Sequence, residues 1–279
     1  MAFFTKNNNK MARLIVPTDY STTAEKALDQ AFLLAQKGND EVELFHVVVM
    51  SPTPDSPKIH GYVMSRKKEE EGRLKALAAE RIRALGLPVT TRWRAKVMYA
   101  EHFLDAISHR FEKSKAKLVV MGTSGISGLA NKIFGSNTAN LISKAELPVL
   151  AVPPSWVPAN LQKLEFCLPP EEVTVHKKDI NKWAKWMGAA ASIAYFTDVA
   201  DAVPDEGKSP IPIKTIVTMP EEPLYEDLVE YSASLKATAL CMFVHERLTV
   251  FERIFDRSVT GQVVGRVRIP MLALPVKAA

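Results

Sequence analysis

Twice along the chain, short apolar runs of strand length alternate with longer segments whose apolar residues recur at helical spacing. No other feature restricts the fold as strongly, because strands separated by helices pair in parallel and form a sheet covered on both faces. The first series opens with the apolar strand Arg13 to Pro17. A helical pattern follows, with Ala24, Ala27, Leu28, Ala31, Leu34 and Ala35 on one face and Ser21 or Thr22 placed to cap it. The same reading predicts a strand over 42–49, a charged helix over 64–85, a strand over 89–97, a helix over 101–113, a strand over 117–121, a helix over 136–144 and a strand over 148–152. Pro153, Pro154 and Pro158 then interrupt every periodicity, as in a linker. The second series predicts strands over 164–168, 192–196, 214–218, 238–244 and 270–275, and helices over 176–190, 222–234 and 251–267.

The two series end alike. Lys132, Ile133 and Phe134 with the strand Pro148 to Pro153 are matched by Arg253, Ile254 and Phe255 with Pro270 to Pro275, which marks an internal duplication. Where the first copy has its long charged helix, the second has only residues 197–213, rich in Asp and Pro. The expected fold is therefore α/β, two doubly wound domains with five-stranded parallel sheets. Residues 1–11 form a loose tail, 12–153 the first domain, 154–162 a linker and 163–279 a trimmed second domain. A chain of 279 residues is long enough to bury two separate cores.

Composition narrows the classes. With 47% hydrophobic and 24% charged residues the chain reads as a soluble globular protein, and no run is long enough to span a membrane. Met1 to Lys10 lacks the apolar stretch of a signal peptide. Cys167 and Cys241 each sit inside an apolar stretch, which suits buried thiols in a reducing compartment, so a cytoplasmic location is expected. The six histidines show no metal-ligand spacing. Much of the net charge of +5 falls between Arg66 and Lys96, interleaved with Glu69, Glu70, Glu71 and Glu80, as on a solvated helix face. No aromatic interleaving there argues for nucleic acid.

Four of the 12 glycines, Gly122, Gly125, Gly128 and Gly135, fall between Met121, where a predicted strand ends, and Ser136, where a helix begins. A loop leaving a parallel strand for a helix N-terminus presents free N–H groups, and glycines clear the approach for an anion such as phosphate. The same glycines could instead serve close packing of strand and helix, and loop chemistry alone leaves both readings open. The spacing does not spell G-x-G-x-x-G, a P-loop or G-x-S-x-G, which counts against dinucleotide oxidoreductases, P-loop NTPases and serine hydrolases.

The spacing Gly122-x-x-Gly125, nine residues, then Gly135-Ser136 stands with Val16 to Asp19 at the end of the first strand, Leu44 to Val47 in the second and Pro148 to Val152 in the last. Together these resemble the universal stress protein family, strongly over residues 11–153 and weakly over 163–276, as in a tandem member. The resemblance implies sheets of order 3-2-1-4-5 and an ATP site at the carboxyl edge, with Mg2+ accompanying the triphosphate. Carried onto matching positions, Asp19 would lie near the ribose and Val47 would contact adenine through its backbone. Gly122, Gly125, Gly135, Ser136 and the N–H of Asn137 would cradle the phosphates, and Pro17, Thr18 and Met121 would shape the wall. Asp19 has a simpler alternative as a helix cap. His46, at the end of an apolar strand, is expected to be a satisfied core residue without a role, and Trp183 and Trp186 to pack together on one helix.

In the second copy the cradle is lost. Phe243 and Glu246 fall where Gly122 and Gly125 stood, Asp256 and Arg257 beside the place of Gly135, and Glu171 near that of Asp19. Only the first domain is expected to bind ATP. The last strands would pair with each other, making the tandem its own pseudo-dimer, with pairing between two chains as the alternative. The leading expectation is an ATP-binding regulatory protein of the stress response with little or no turnover. An adenylylating enzyme and a nucleotide-free scaffold are the other classes.

Overall fold

The computed structural model describes residues 11–50, 57–123, 136–144, 147–168, 172–197, 210–217, 224–235, 238–244 and 266–276. Its elements run β1 (Arg13–Pro17), α1 (Thr22–Gly38), β2 (Glu41–Val49), α2 (Pro57–Ala84), β3 (Trp93–Ala100), α3 (Phe103–Ser114), β4 (Leu118–Gly122), α4 (Ser136–Lys144) and β5 (Val149–Val152). The second half continues with β6 (Lys163–Leu168), α5 (Lys177–Met187), β7 (Ala190–Thr197), β8 (Ile213–Val217), α6 (Leu224–Ser234), β9 (Ala239–Val244) and β10 (Met271–Pro275). All ten strands join one α/β sheet of order β3-β2-β1-β4-β5-β10-β9-β6-β7-β8. Within each half the pairing is parallel, and β5 meets β10 antiparallel, with Leu150 opposite Leu272.

Central strands buried on both faces read as unbroken apolar runs. Leu14 and Val16 point to the layer of α1, α2 and α5, and Ile15 to the layer of α3, α4 and α6. Around the Leu150–Leu272 pair the two halves are related by an approximate twofold. The registers then match Leu118 with Ala239, Gly122 with Phe243 and Leu14 with Leu164. By the same count in the sequence Asp19 corresponds to Pro169, two residues before Glu171. Glu171, Gly125, Gly135, Lys132, Glu246, Asp256 and Arg257 lie outside the described residues, as does most of the helix expected over 251–267.

The start of β3, the end of α5 and the start of α2 differ from expectation. β3 begins at Trp93, because Thr91 N–H and Oγ1 both donate to Pro88 O (2.9 and 2.6 Å) and fold 88–91 into a turn that leaves Val89 98% exposed. α5 stops at Met187, because Gly188 takes a left-handed conformation (φ 59) as its C-cap, and Ala190 already opens β7. α2 starts at Pro57, a residue suited to a first helical position.

The connection between halves lies along α1. Gln30 is fully buried, donates to Ala159 O (2.9 Å) and accepts from Trp156 Nε1 (2.8 Å), while Lys37 Nζ donates to the carbonyls of Leu161, Met187 and Gly188 (2.9, 3.2 and 3.4 Å). Each half also buries a carboxylate. Glu43 on β2 pairs through both oxygens with Arg110 of α3. Glu165 on β6 accepts from Ser192 and from Tyr231 (2.9 Å), and Lys163 Nζ lies 3.3 Å away. Tyr231 and Arg110 each stand eight residues before their matched positions, Ala239 and Leu118. Ile15 beside Glu43 has become Glu165 beside Ser192, so the carboxylate has moved one strand inward.

Candidate functional site

A doubly wound sheet opens a crevice where neighbouring strands send their connections to opposite faces. That point lies between β1, whose helix α1 covers one face, and β4, whose helix α4 covers the other. Only residues 18 to 21 separate β1 from α1, and they are tied closely. Thr18 N–H donates to Phe45 O (3.0 Å), extending the ladder, and Thr18 Oγ1 accepts from Tyr20 N–H (3.0 Å). Asp19 Oδ1 accepts from Ser21 N–H (3.0 Å), and Ser21 Oγ accepts from Ala24 N–H (3.2 Å). Ser21 is therefore the helix cap, and Asp19 closes the turn ahead of it with its side chain exposed at the mouth.

Tyr20 lies between them at φ 63, a left-handed conformation costly for a bulky residue. Its side chain is held from three sides. The hydroxyl donates to Glu70 Oε2 (2.7 Å), the Arg73 guanidinium lies 4.1 Å over the ring, and the His46 ring sits 4.9 Å away. Burial, reinforced by Glu70, pushes the Tyr20 hydroxyl above its ordinary pKa. Burial pushes the Glu70 carboxyl up as well, but Tyr20, Arg73 and His46 outweigh it and hold that carboxyl below the usual range. His46 Nδ1–H donates to Thr18 O (2.8 Å), so this histidine fastens the end of β1 to β2. Tyr20, Glu70 and Arg73 escaped the sequence reading, since nothing in the local pattern of α2 marks Glu70 among its exposed glutamates.

Across the crevice, Gly122 ends β4. A Cβ placed there would lie 2.7 Å from Thr23 Cγ2 and 2.9 Å from the Thr23 carbonyl carbon and oxygen. The glycine is needed so that the first turn of α1 can rest on the end of β4. Gly122 O also accepts from Thr138 Oγ1 (2.8 Å), which ties α4 to the same strand end, and Thr123 N–H donates to Val152 O (3.0 Å). The packing reading of this glycine thus holds in the structure, where Thr23 in the first turn of α1 lies against Gly122. Ser136 is the first residue of α4 and Asn137 is exposed in its first turn. Pro17, Thr18 and Met121 are buried in the wall, and Val47 is half-buried near the end of β2. Of the site residues expected from sequence, eight are thus grouped around this edge, and Gly125 and Gly135 fall outside the described residues.

The matching position in the second half is filled. Phe243, 4% exposed, stacks on His176 with ring centroids 3.9 Å apart and planes inclined by 10°, and Phe166 backs it at 6.1 Å. Residues 169 to 176 separate β6 from α5, twice the length of the connection after β1.

Residues 11–153 match the model of the universal stress protein family. The chain belongs to the universal stress protein family. A universal stress protein of Methanocaldococcus jannaschii is 31% identical over 150 residues, which is 52% of this chain and 83% of that relative. A universal stress protein crystal structure from Archaeoglobus fulgidus superposes with a TM-score of 0.69 at 17% identity, covering 94% of this chain and 98% of that one. A putative universal stress protein from Pseudomonas aeruginosa gives 0.60 at 14% identity, covering 95% and 93%. At such identities these two likenesses concern the fold, and their coverage extends it over both halves. Among the described residues, no helix of this universal stress protein is long and apolar enough to cross a membrane.

Proposed function

We propose that this chain is an ATP-binding regulatory protein of the stress response that holds one nucleotide, in its first half, with little or no turnover. The observation that carries the reading is the contrast at one register position. Gly122 puts no side chain at the end of β4, where the first turn of α1 and the start of α4 both meet the strand, whereas Phe243 stacked on His176 fills the same place in the second half. Helix α4 directs its N-terminal N–H groups and the positive end of its dipole toward that edge, an arrangement worth about 0.3–1 kcal/mol for an anion. Asp19, exposed at the mouth, suits a ribose hydroxyl as an acceptor. Among the described residues no group of three His, Cys, Asp or Glu side chains could cage a metal, so a divalent cation would ride on the phosphates.

Equilibrium dialysis of the full chain against ATP tests this, with Asp19→Ala and Gly135→Asp alongside. The native chain should bind one nucleotide per chain, Asp19→Ala should bind more weakly, and Gly135→Asp should lose binding through repulsion of the phosphates. Two nucleotides per chain, or none, would overturn the reading.

A further inference from the structure

Asp19 sits between two residues that are each held from outside the turn. Ahead of it, Thr18 O accepts from His46 Nδ1–H of β2 (2.8 Å). Behind it, Tyr20 takes φ 63, a conformation that glycine or asparagine adopts at less cost than a bulky aromatic residue. The backbone of the turn makes no use of the ring, since Tyr20 N–H donates to Thr18 Oγ1 (3.0 Å), a bond open to any residue but proline. The side chain instead reaches α2, to a residue 50 positions away. Its hydroxyl donates to Oε2 of Glu70 (2.7 Å), a carboxylate only 6% exposed. The Arg73 guanidinium lies 4.1 Å over the same ring and donates to both Glu70 oxygens (3.2 Å each), and the His46 ring meets Tyr20 from another side at 4.9 Å. Both neighbours of Asp19 are therefore anchored, one to β2 and the other to α2.

We propose that Tyr20, Glu70 and Arg73 are positioning residues for nucleotide binding, a latch by which α2 holds the turn in the conformation that aims Asp19 at the ribose. The latch rests on the nucleotide reading above and concerns its ribose contact. A left-handed residue directly after Asp19 sets the direction in which the chain leaves it, and so where its carboxylate points. With the hydroxyl released, the side chain no longer offsets the backbone cost, residue 20 returns to negative φ and Asp19 turns away. The phosphate end is spared, because Gly122 ends β4 and α4 packs in the opposite layer from α2. Any displacement of α2 that draws Glu70 from the hydroxyl thus loosens the ribose contact alone.

The test is equilibrium dialysis of the full chain against ATP and against 2′,3′-dideoxy-ATP, which lacks the hydroxyls that Asp19 would accept from. The native chain should prefer ATP by about tenfold or more, the factor of one hydrogen bond to a carboxylate. Asp19→Ala should abolish the preference. Tyr20→Phe and Glu70→Ala leave Asp19 itself intact, yet each should bring the preference below about threefold while affinity for dideoxy-ATP stays within about twofold of native. Glu70→Gln, whose amide oxygen still accepts from the hydroxyl, should stay above about threefold. A preference kept in either Tyr20→Phe or Glu70→Ala, or lost in Glu70→Gln, would overturn the latch. An equal loss of affinity for both nucleotides would overturn it too, since that marks collapse of the crevice rather than misdirection of one carboxylate. A native chain that binds neither nucleotide would overturn the nucleotide reading itself, and one that binds both alike would remove the role of Asp19; the latch falls with either.

Discussion

Gly122→Ala should destabilise the chain out of proportion to the single methyl it adds. The new Cβ would stand 2.7 Å from Thr23 Cγ2 and 2.9 Å from the Thr23 carbonyl carbon and oxygen. A rotamer change of Thr23 can move the first of these but not the other two, which belong to the backbone of α1. Reaching an ordinary 3.4 Å from 2.9 Å requires the helix to retreat by about 0.5 Å, and its buried face, including Ala24, Ala27, Leu28 and Ala31, would retreat with it. Overpacking of this kind costs about 1–3 kcal/mol, and the backbone contacts place this site at the upper end. With a urea slope of about 3 kcal/mol/M, a loss of ~3 kcal/mol lowers the unfolding midpoint by roughly 1 M. The assay is urea unfolding followed by far-UV circular dichroism, with Thr23→Ser combined as a second variant. Removing Cγ2 relieves one of the three contacts, so the double variant should recover less than half of the loss. A midpoint unchanged in Gly122→Ala, or fully restored by Thr23→Ser, would refute the claim that α1 backbone rests on this glycine.

Arg110→Ala should cost about 3–5 kcal/mol in the same assay, because Glu43 would remain fully buried without its bidentate partner. Glu41 supplies a pH dependence. Its burial raises the carboxyl, but Arg94 and Arg13 outweigh burial and hold it below its ordinary 4.5. A depressed carboxylate stabilises the fold above the unfolded value and loses that contribution as pH falls through the folded one. The stability gap between the native chain and Glu41→Gln should therefore be full at pH 7 and close progressively below about pH 4.5, as urea midpoints across that range would show.

The alternation of strands and helices was legible because burial on both faces forces apolar runs such as Leu118 to Met121 to be continuous, and α1 was legible through its apolar face. The limits of β3 were not. It borders the sheet, its residues are mostly half-buried, and Val89 to Thr91 has the composition of a strand although Pro88 folds it into a turn. The end of α5 was written in Gly188, a left-handed C-cap that the periodicity argument passed over. Around the site, Phe243 could be matched to Gly122 because both copies keep the spacing from that position to the pair Ile133–Phe134 and Ile254–Phe255. The reason Gly122 must be glycine depends on α1 lying across β4, a contact between residues 99 positions apart, 23 to 122, that no local pattern encodes. The Tyr20–Glu70–Arg73 network is equally remote in sequence, joining a turn to the middle of a long helix.

The seam between β5 and β10 has a genetic consequence. Had identical subunits met there, each amino-acid replacement would have appeared on both sides of the symmetry axis, and stopping one mouth would have stopped both. Because a single gene writes the two sides separately, a phenylalanine could settle in one mouth while a glycine persisted in the other. Covalent fusion thus licenses asymmetry, and the proposed ligand count of one would follow from how the polypeptide is encoded, whatever its concentration in the cell.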